Sequence, residues 1–72
     1  MSEYLITVFW SDEDRSWVAD IPDLKYCSAF GDNPMDALRE VLQAKDAWLE
    51  SAREHGDPIP PPRARPDLSL AG

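Results

Sequence analysis

Only one stretch of this chain has the period of a helix, so any sheet formed by the rest can be covered by a helix on one face only. Leu38, Val41, Leu42, Trp48, Leu49 and Ala52 recur at helical spacing, with Arg39, Glu40, Gln43, Asp46, Glu50 and Glu54 on the opposite side. The boundaries are well marked. Asn33 is a capping residue, Pro34 suits the first helical position and Asp36 holds the capping-box position. Gly56 supplies a left-handed end, so the helix is predicted from Pro34 to about Glu54.

Ahead of the helix, Tyr4-Leu5-Ile6-Thr7-Val8-Phe9-Trp10 is aromatic and β-branched, the composition of a strand. It is apolar on both alternating faces, with Tyr4, Ile6, Val8 and Trp10 on one and Leu5 and Phe9 on the other. That pattern predicts a central strand with material packed on each side. Ser11-Asp12-Glu13-Asp14-Arg15 reads as a polar turn, and Ser16 to Ile21 as a second strand antiparallel to the first. Pro22-Asp23 stops it, Lys25 to Phe30 reads as a third strand, and Gly31 breaks the pattern. After the helix the composition changes. Five of the seven prolines lie between Pro58 and Pro66, so Pro58-Ile59-Pro60-Pro61-Pro62 is extended. Asp67-Leu68-Ser69-Leu70 reads as a short last strand or a frayed end.

The expected fold is therefore α+β: a small antiparallel sheet of three strands, one long helix and an extended proline-rich tail. The strand-and-helix domain takes residues 1–57 and the tail 58–72. A chain of 72 residues buries only ~60% of the surface its unfolded form exposes, and one cysteine gives no disulfide framework. The uncovered sheet face is expected to make a homo-oligomer, a dimer or tetramer, with Leu5, Phe9, Trp10 and Trp17 at the interface.

Charge narrows the partners. Fourteen acidic residues against seven basic ones give a net charge of −7, and the cations are dispersed. A polyanionic nucleic acid is disfavoured, and a basic protein fits better. Asp12, Glu13, Asp14, Asp20 and Asp23 are the candidate partner-binding residues. One cysteine and one histidine are too few for a structural zinc site, and the acidic triplet at 12–14 reads as a solvated hairpin tip. Cys27 reads as a buried core thiol and His55 as a cation at the helix carboxyl end. Lys45 falls within the apolar arc of the helix, as a snorkelling side chain or as half of a buried ion pair. No catalytic residue, metal or cofactor is expected. The lone cysteine and the lack of a basic leader ahead of the first apolar run point to the cytoplasm, and that run is too short to span a bilayer.

Three segments in order carry a family resemblance: Trp17-Val18-Ala19-Asp20-Ile21-Pro22-Asp23-Leu24, then Gly31-Asp32-Asn33-Pro34-Met35-Asp36-Ala37-Leu38, then Ile59-Pro60-Pro61-Pro62 after the helix. Together they resemble the HicB antitoxin-like family, over roughly residues 4–62. The resemblance implies a partial ribonuclease-H-like fold and a role in type II toxin–antitoxin modules, neutralising HicA, a small basic ribonuclease that acts on mRNA. Two departures matter. Many relatives carry a further DNA-binding segment where this chain has only its proline-rich tail, so no direct DNA binding is expected. Relatives often have Pro-Gly-Cys where this chain has Lys25-Tyr26-Cys27. The ribonuclease-H likeness raises a metal nuclease as an alternative, but such enzymes place a metal-binding aspartate in the first strand, and Tyr4 to Trp10 has no carboxylate. A stand-alone oligomeric interaction protein is the other alternative.

Overall fold

The computed structural model describes residues 4–65. It has three strands and a helix in the order β1 (Thr7–Ser11), β2 (Ser16–Asp20), β3 (Ser28–Gly31) and α1 (Pro34–His55). The sheet is antiparallel throughout, in the order β1-β2-β3. This is the expected α+β architecture. The proposed strand at Asp67–Leu70 lies outside the described residues.

The helix begins and ends as its capping residues dictate. The Asn33 side chain accepts from the Asp36 backbone N–H at 2.9 Å, and its amide donates to the Asp36 carboxylate at 3.1 Å. At the other end Gly56 adopts φ 69°, and the Asp57 N–H reaches the Ala52 carbonyl at 2.8 Å. The imidazole Nδ1 of His55 lies 2.8 Å from the Ser51 carbonyl in the last turn.

The register sorts the sheet into two faces. Trp17 opposite Gly31 and Ala19 opposite Ala29 form the rows beneath the helix. Small side chains there let α1 approach closely, and Ala19, Ala37 and Val41 are fully buried with Ile21, Leu24 and Cys27. Gly31 is the tightest point, since a Cβ at that position would stand 2.4 Å from the Ala37 backbone nitrogen. On the other face Phe9, Val18 and Phe30 run in one row across all three strands. Val18 is buried between the two phenylalanines, which are 48% and 55% exposed.

Four expectations are corrected. The first strand begins at Thr7 and forms an edge of the sheet, so Val8, Phe9 and Trp10 are exposed; β2 is the central strand. The helix lies mainly over β2 and β3 and reaches β1 least. The third strand is shorter than Lys25–Phe30, because residues 21–27 are taken up by turns. Leu42 is 39% exposed beside Met35 and does not join the core. Finally, Phe9 lies on the open face whereas Trp10 and Trp17 lie on the helix face, with ring centroids 5.8 Å apart in an edge-on contact, so these three aromatics do not form one patch. Leu5 is half-buried ahead of β1.

Candidate binding surfaces

The segment Ile21–Cys27 is the junction of the molecule. Its backbone closes on itself through three bonds of 3.0 Å: Leu24 N–H to the Ile21 carbonyl, Cys27 N–H to the Leu24 carbonyl, and Ile21 N–H to the Cys27 carbonyl. Pro22 takes the second position of the first turn, where its fixed φ is favourable. Two successive turns of this kind point Ile21, Leu24 and Cys27 inward, at 0%, 1% and 2% exposure. Pro22, Lys25 and Tyr26 are left outside. Tyr26 occupies the third position of the second turn with φ 65°, a conformation that favours glycine. Its ring is almost fully exposed, with the Lys25 amine 5.4 Å from its centroid.

Two polar contacts tie this loop to the rest. The Trp48 indole N–H donates to the Lys25 carbonyl at 2.9 Å, joining loop to helix. The Asp23 carboxylate accepts from the backbone N–H groups of Arg63 and Ala64 at 2.9–3.1 Å, joining loop to tail. The Tyr4 hydroxyl also donates to the Pro60 carbonyl. Residues 58–65 thus lie along the domain as an extended arm. Beside this junction a groove of about 560 Å³ opens between Tyr26, Trp48, Ser51, Asp57 and Pro58.

The clamp makes a prediction. Hydrogen bonds to a charged acceptor contribute ~1.5–3 kcal/mol each. Asp23→Ala is expected to speed tryptic cleavage at Arg63–Ala64 by roughly tenfold, the equivalent of ~1.4 kcal/mol. The adjacent Arg65–Pro66 bond resists trypsin and serves as an internal control. Unchanged cleavage, followed by mass spectrometry, would show that the arm is held by something other than Asp23.

The five candidate acids are not one cluster. Asp12, Glu13 and Asp14 are exposed at the β1–β2 turn, where Asp12 accepts from the Trp10 indole at 2.9 Å and Asp14 from the Ser11 hydroxyl at 2.9 Å. Asp20 sits at the other end of β2, accepting from the Ser28 hydroxyl at 2.6 Å. Strand rise separates the two groups by roughly 13 Å or more. Asp23 faces the arm, so its free capacity for a partner is small. Among the described residues no three side chains of metal-ligating type converge. The Asp36 carboxylate pairs with Arg39 at 3.3 Å, while Glu40, Asp46, Glu50 and Glu54 are exposed along the helix.

Lys45 is half-buried on the helix with no carboxylate within ion-pair distance among the described residues, the arrangement of a snorkelling stem. Cys27 is buried, and desolvation first, then the Asp20 charge, pushes its thiol above the ordinary 9.0, with the Lys45 charge opposing. A raised thiol pKa favours the folded chain below pH 9.0 and loses that contribution as pH rises beyond it. In native buffer at pH 8, Cys27 is expected to react with a thiol reagent at least roughly tenfold more slowly than in denaturant. Equal rates would contradict its burial.

Among the described residues, no helix is long and apolar enough to cross a membrane. No family model matches the chain. No solved structure matches it. Two relatives do. A UPF0150 protein of Synechocystis sp. is 36% identical over 53 residues, covering 74% of this chain and 73% of the relative. A UPF0150 protein of Thermoplasma acidophilum is 32% identical over 53 residues, covering 74% of this chain and 77% of the relative. This chain of three antiparallel strands and one helix is thus similar in sequence to both proteins over 53 residues. The chain is a member of the UPF0150 family.

Proposed function

We propose that this chain is a HicB-like antitoxin, or a solitary relative of one, that binds and masks a small basic HicA-type ribonuclease. The observation that carries the reading is the distribution of charge. The net charge is −7, and the exposed carboxylates of the β1–β2 turn and of the outer helix surface outnumber the exposed Arg15, Arg39 and Arg53 that lie among them. A field of one sign accelerates encounter with a basic partner and sets its register. Asp12, Glu13 and Asp14 are the free end of that field, and Asp20 lies at the opposite end of the same hairpin. Asp23 contributes by holding the arm in place rather than by touching the partner. The role is one of binding, not catalysis, carried out in the cytoplasm.

Co-purification of the full chain from its native host at low salt tests this directly. Recovery of a small basic protein, released as salt is raised, is the expected result. Failure to recover any such protein across several growth states counts against the proposal. Micromolar magnesium or manganese binding, with RNA cleavage abolished by Asp14→Asn, would instead assign a metal nuclease.

A further inference from the structure

We propose that the groove beside the junction takes an arginine side chain of the basic partner, its guanidinium held on the rings of Tyr26 and Trp48 and against the Asp57 carboxylate. The identity of the partner rests on the antitoxin reading; the chemistry of the groove does not. Tyr26 is the first observation. Its ring is 91% exposed, yet its backbone holds φ 65°, where glycine would sit without strain. A ring in water on a left-handed residue contributes little to folding, and strain of this kind collects at ligand clamps. The ring already receives one cation, the Lys25 amine, 5.4 Å from its centroid.

The other walls fit the same ligand. The Trp48 indole N–H is committed to the Lys25 carbonyl at 2.9 Å, so the ring is fixed between loop and helix and presents its π face. Ala44 and Ala47 line the groove with side chains too small to block it. Asp57 is placed by the helix cap, where its backbone N–H donates to the Ala52 carbonyl at 2.8 Å. Its exposed carboxylate is the only one that lines the groove. Lys25, Lys45 and Arg53 are next in sequence to lining residues but do not line it themselves. Two aromatic rings and one carboxylate select a cation. Among cations they select the guanidinium, whose plane stacks on a ring while its N–H fork binds a carboxylate; an ammonium is a compact, strongly hydrated charge. The acidic field of the chain speeds encounter with a basic protein, and an arginine seated here fixes its register.

The probe is the blocked peptide acetyl-Gly-Arg-Gly-amide, titrated into the full chain and followed by nuclear magnetic resonance. Saturable shifts are expected at the Trp48 indole N–H and at the Tyr26 and Asp57 amides, and none at the Trp10 indole, which sits on Asp12. The citrulline peptide, equal in shape but uncharged, should bind at least roughly tenfold more weakly. Tyr26→Gly and Asp57→Asn should each weaken the arginine peptide by roughly tenfold. Tyr26→Gly should also melt no lower than the parent chain, because glycine relieves the left-handed strain, so its lost binding is not lost fold. Asp32→Asn makes the same charge change at an exposed residue outside the groove and should bind as the parent does. Four results overturn the inference: no shift, equal binding of the arginine and citrulline peptides, shifts confined to Asp12–Asp14, or Tyr26→Gly that binds as the parent does. Co-purification separates it from the antitoxin reading. A basic protein still retained in full by the Tyr26→Gly and Asp57→Asn variants defeats the groove alone. Arginine-specific shifts with no basic protein recovered defeat the antitoxin reading alone.

Discussion

Gly31→Ala is expected to leave the chain largely unfolded at modest temperature. The added Cβ would meet the Ala37 nitrogen at 2.4 Å, the Asp36 carbonyl carbon at 2.8 Å and the Ala37 Cα at 2.9 Å. All three are backbone atoms in the first turn of α1, which is fixed by the Asn33 cap and by the Ala37 N–H to Asn33 carbonyl bond of 3.1 Å. No side-chain rotation relieves such a collision, so the helix must lift from β3. Overpacking costs ~1–3 kcal/mol where side chains yield, and more where they do not. A domain of this length holds roughly 4–11 kcal/mol in total. A loss of ~3 kcal/mol or more should lower the melting temperature by about 12 °C or more. A melt followed by circular dichroism decides it, and a shift under ~4 °C would mean that α1 does not sit this close to β3.

Ile21→Ala is expected to cost ~2–5 kcal/mol, toward the upper end of that range. Ile21 is fully buried, and both its N–H and its carbonyl are fixed by turn bonds to Cys27 and Leu24. A site anchored on both sides collapses poorly around a cavity, so most of the lost volume stays empty. Ile59→Ala, at a side chain 40% exposed on the arm, should cost under ~1 kcal/mol. Equal costs in urea denaturation would remove Ile21 from the core.

These two sites mark how far residue patterns reach. The helix was legible almost to the residue, because Asn33, Pro34, Asp36 and Gly56 each act locally on the backbone next to them. The hairpin was legible for the same reason, its turn falling at Asp12–Arg15 between two β-rich runs. The edge position of β1 was not, because an apolar strand looks the same whether a layer covers it or its side chains stand in solvent. The third strand was overextended because Lys25, Tyr26 and Cys27 have strand-like neighbours, while the turn they form rests on the left-handed backbone of Tyr26, a residue that does not announce it.

The junction escaped for a further reason. Asp23 and Arg63 are forty positions apart, and Trp48 lies twenty-three from Lys25, so no local spacing joins them. The nearest signals were the proline of Ile21-Pro22-Asp23-Leu24 and the proline-rich run after the helix. One marks the turn that presents Asp23 and the other marks the extended segment it holds. The acidic candidates were visible as residues but not as an arrangement, since only the strand register separates Asp12–Asp14 from Asp20.

A neutralisation titration tests the proposed antitoxin role most directly. A small basic protein that co-purifies with the chain would be incubated with RNA while increasing amounts of the full chain are added at low salt. Cleavage is expected to fall to background near stoichiometric chain and to return as ionic strength screens the acidic surface. Cleavage that persists at excess chain, or an RNA-cleaving activity that belongs to the chain itself, would contradict it.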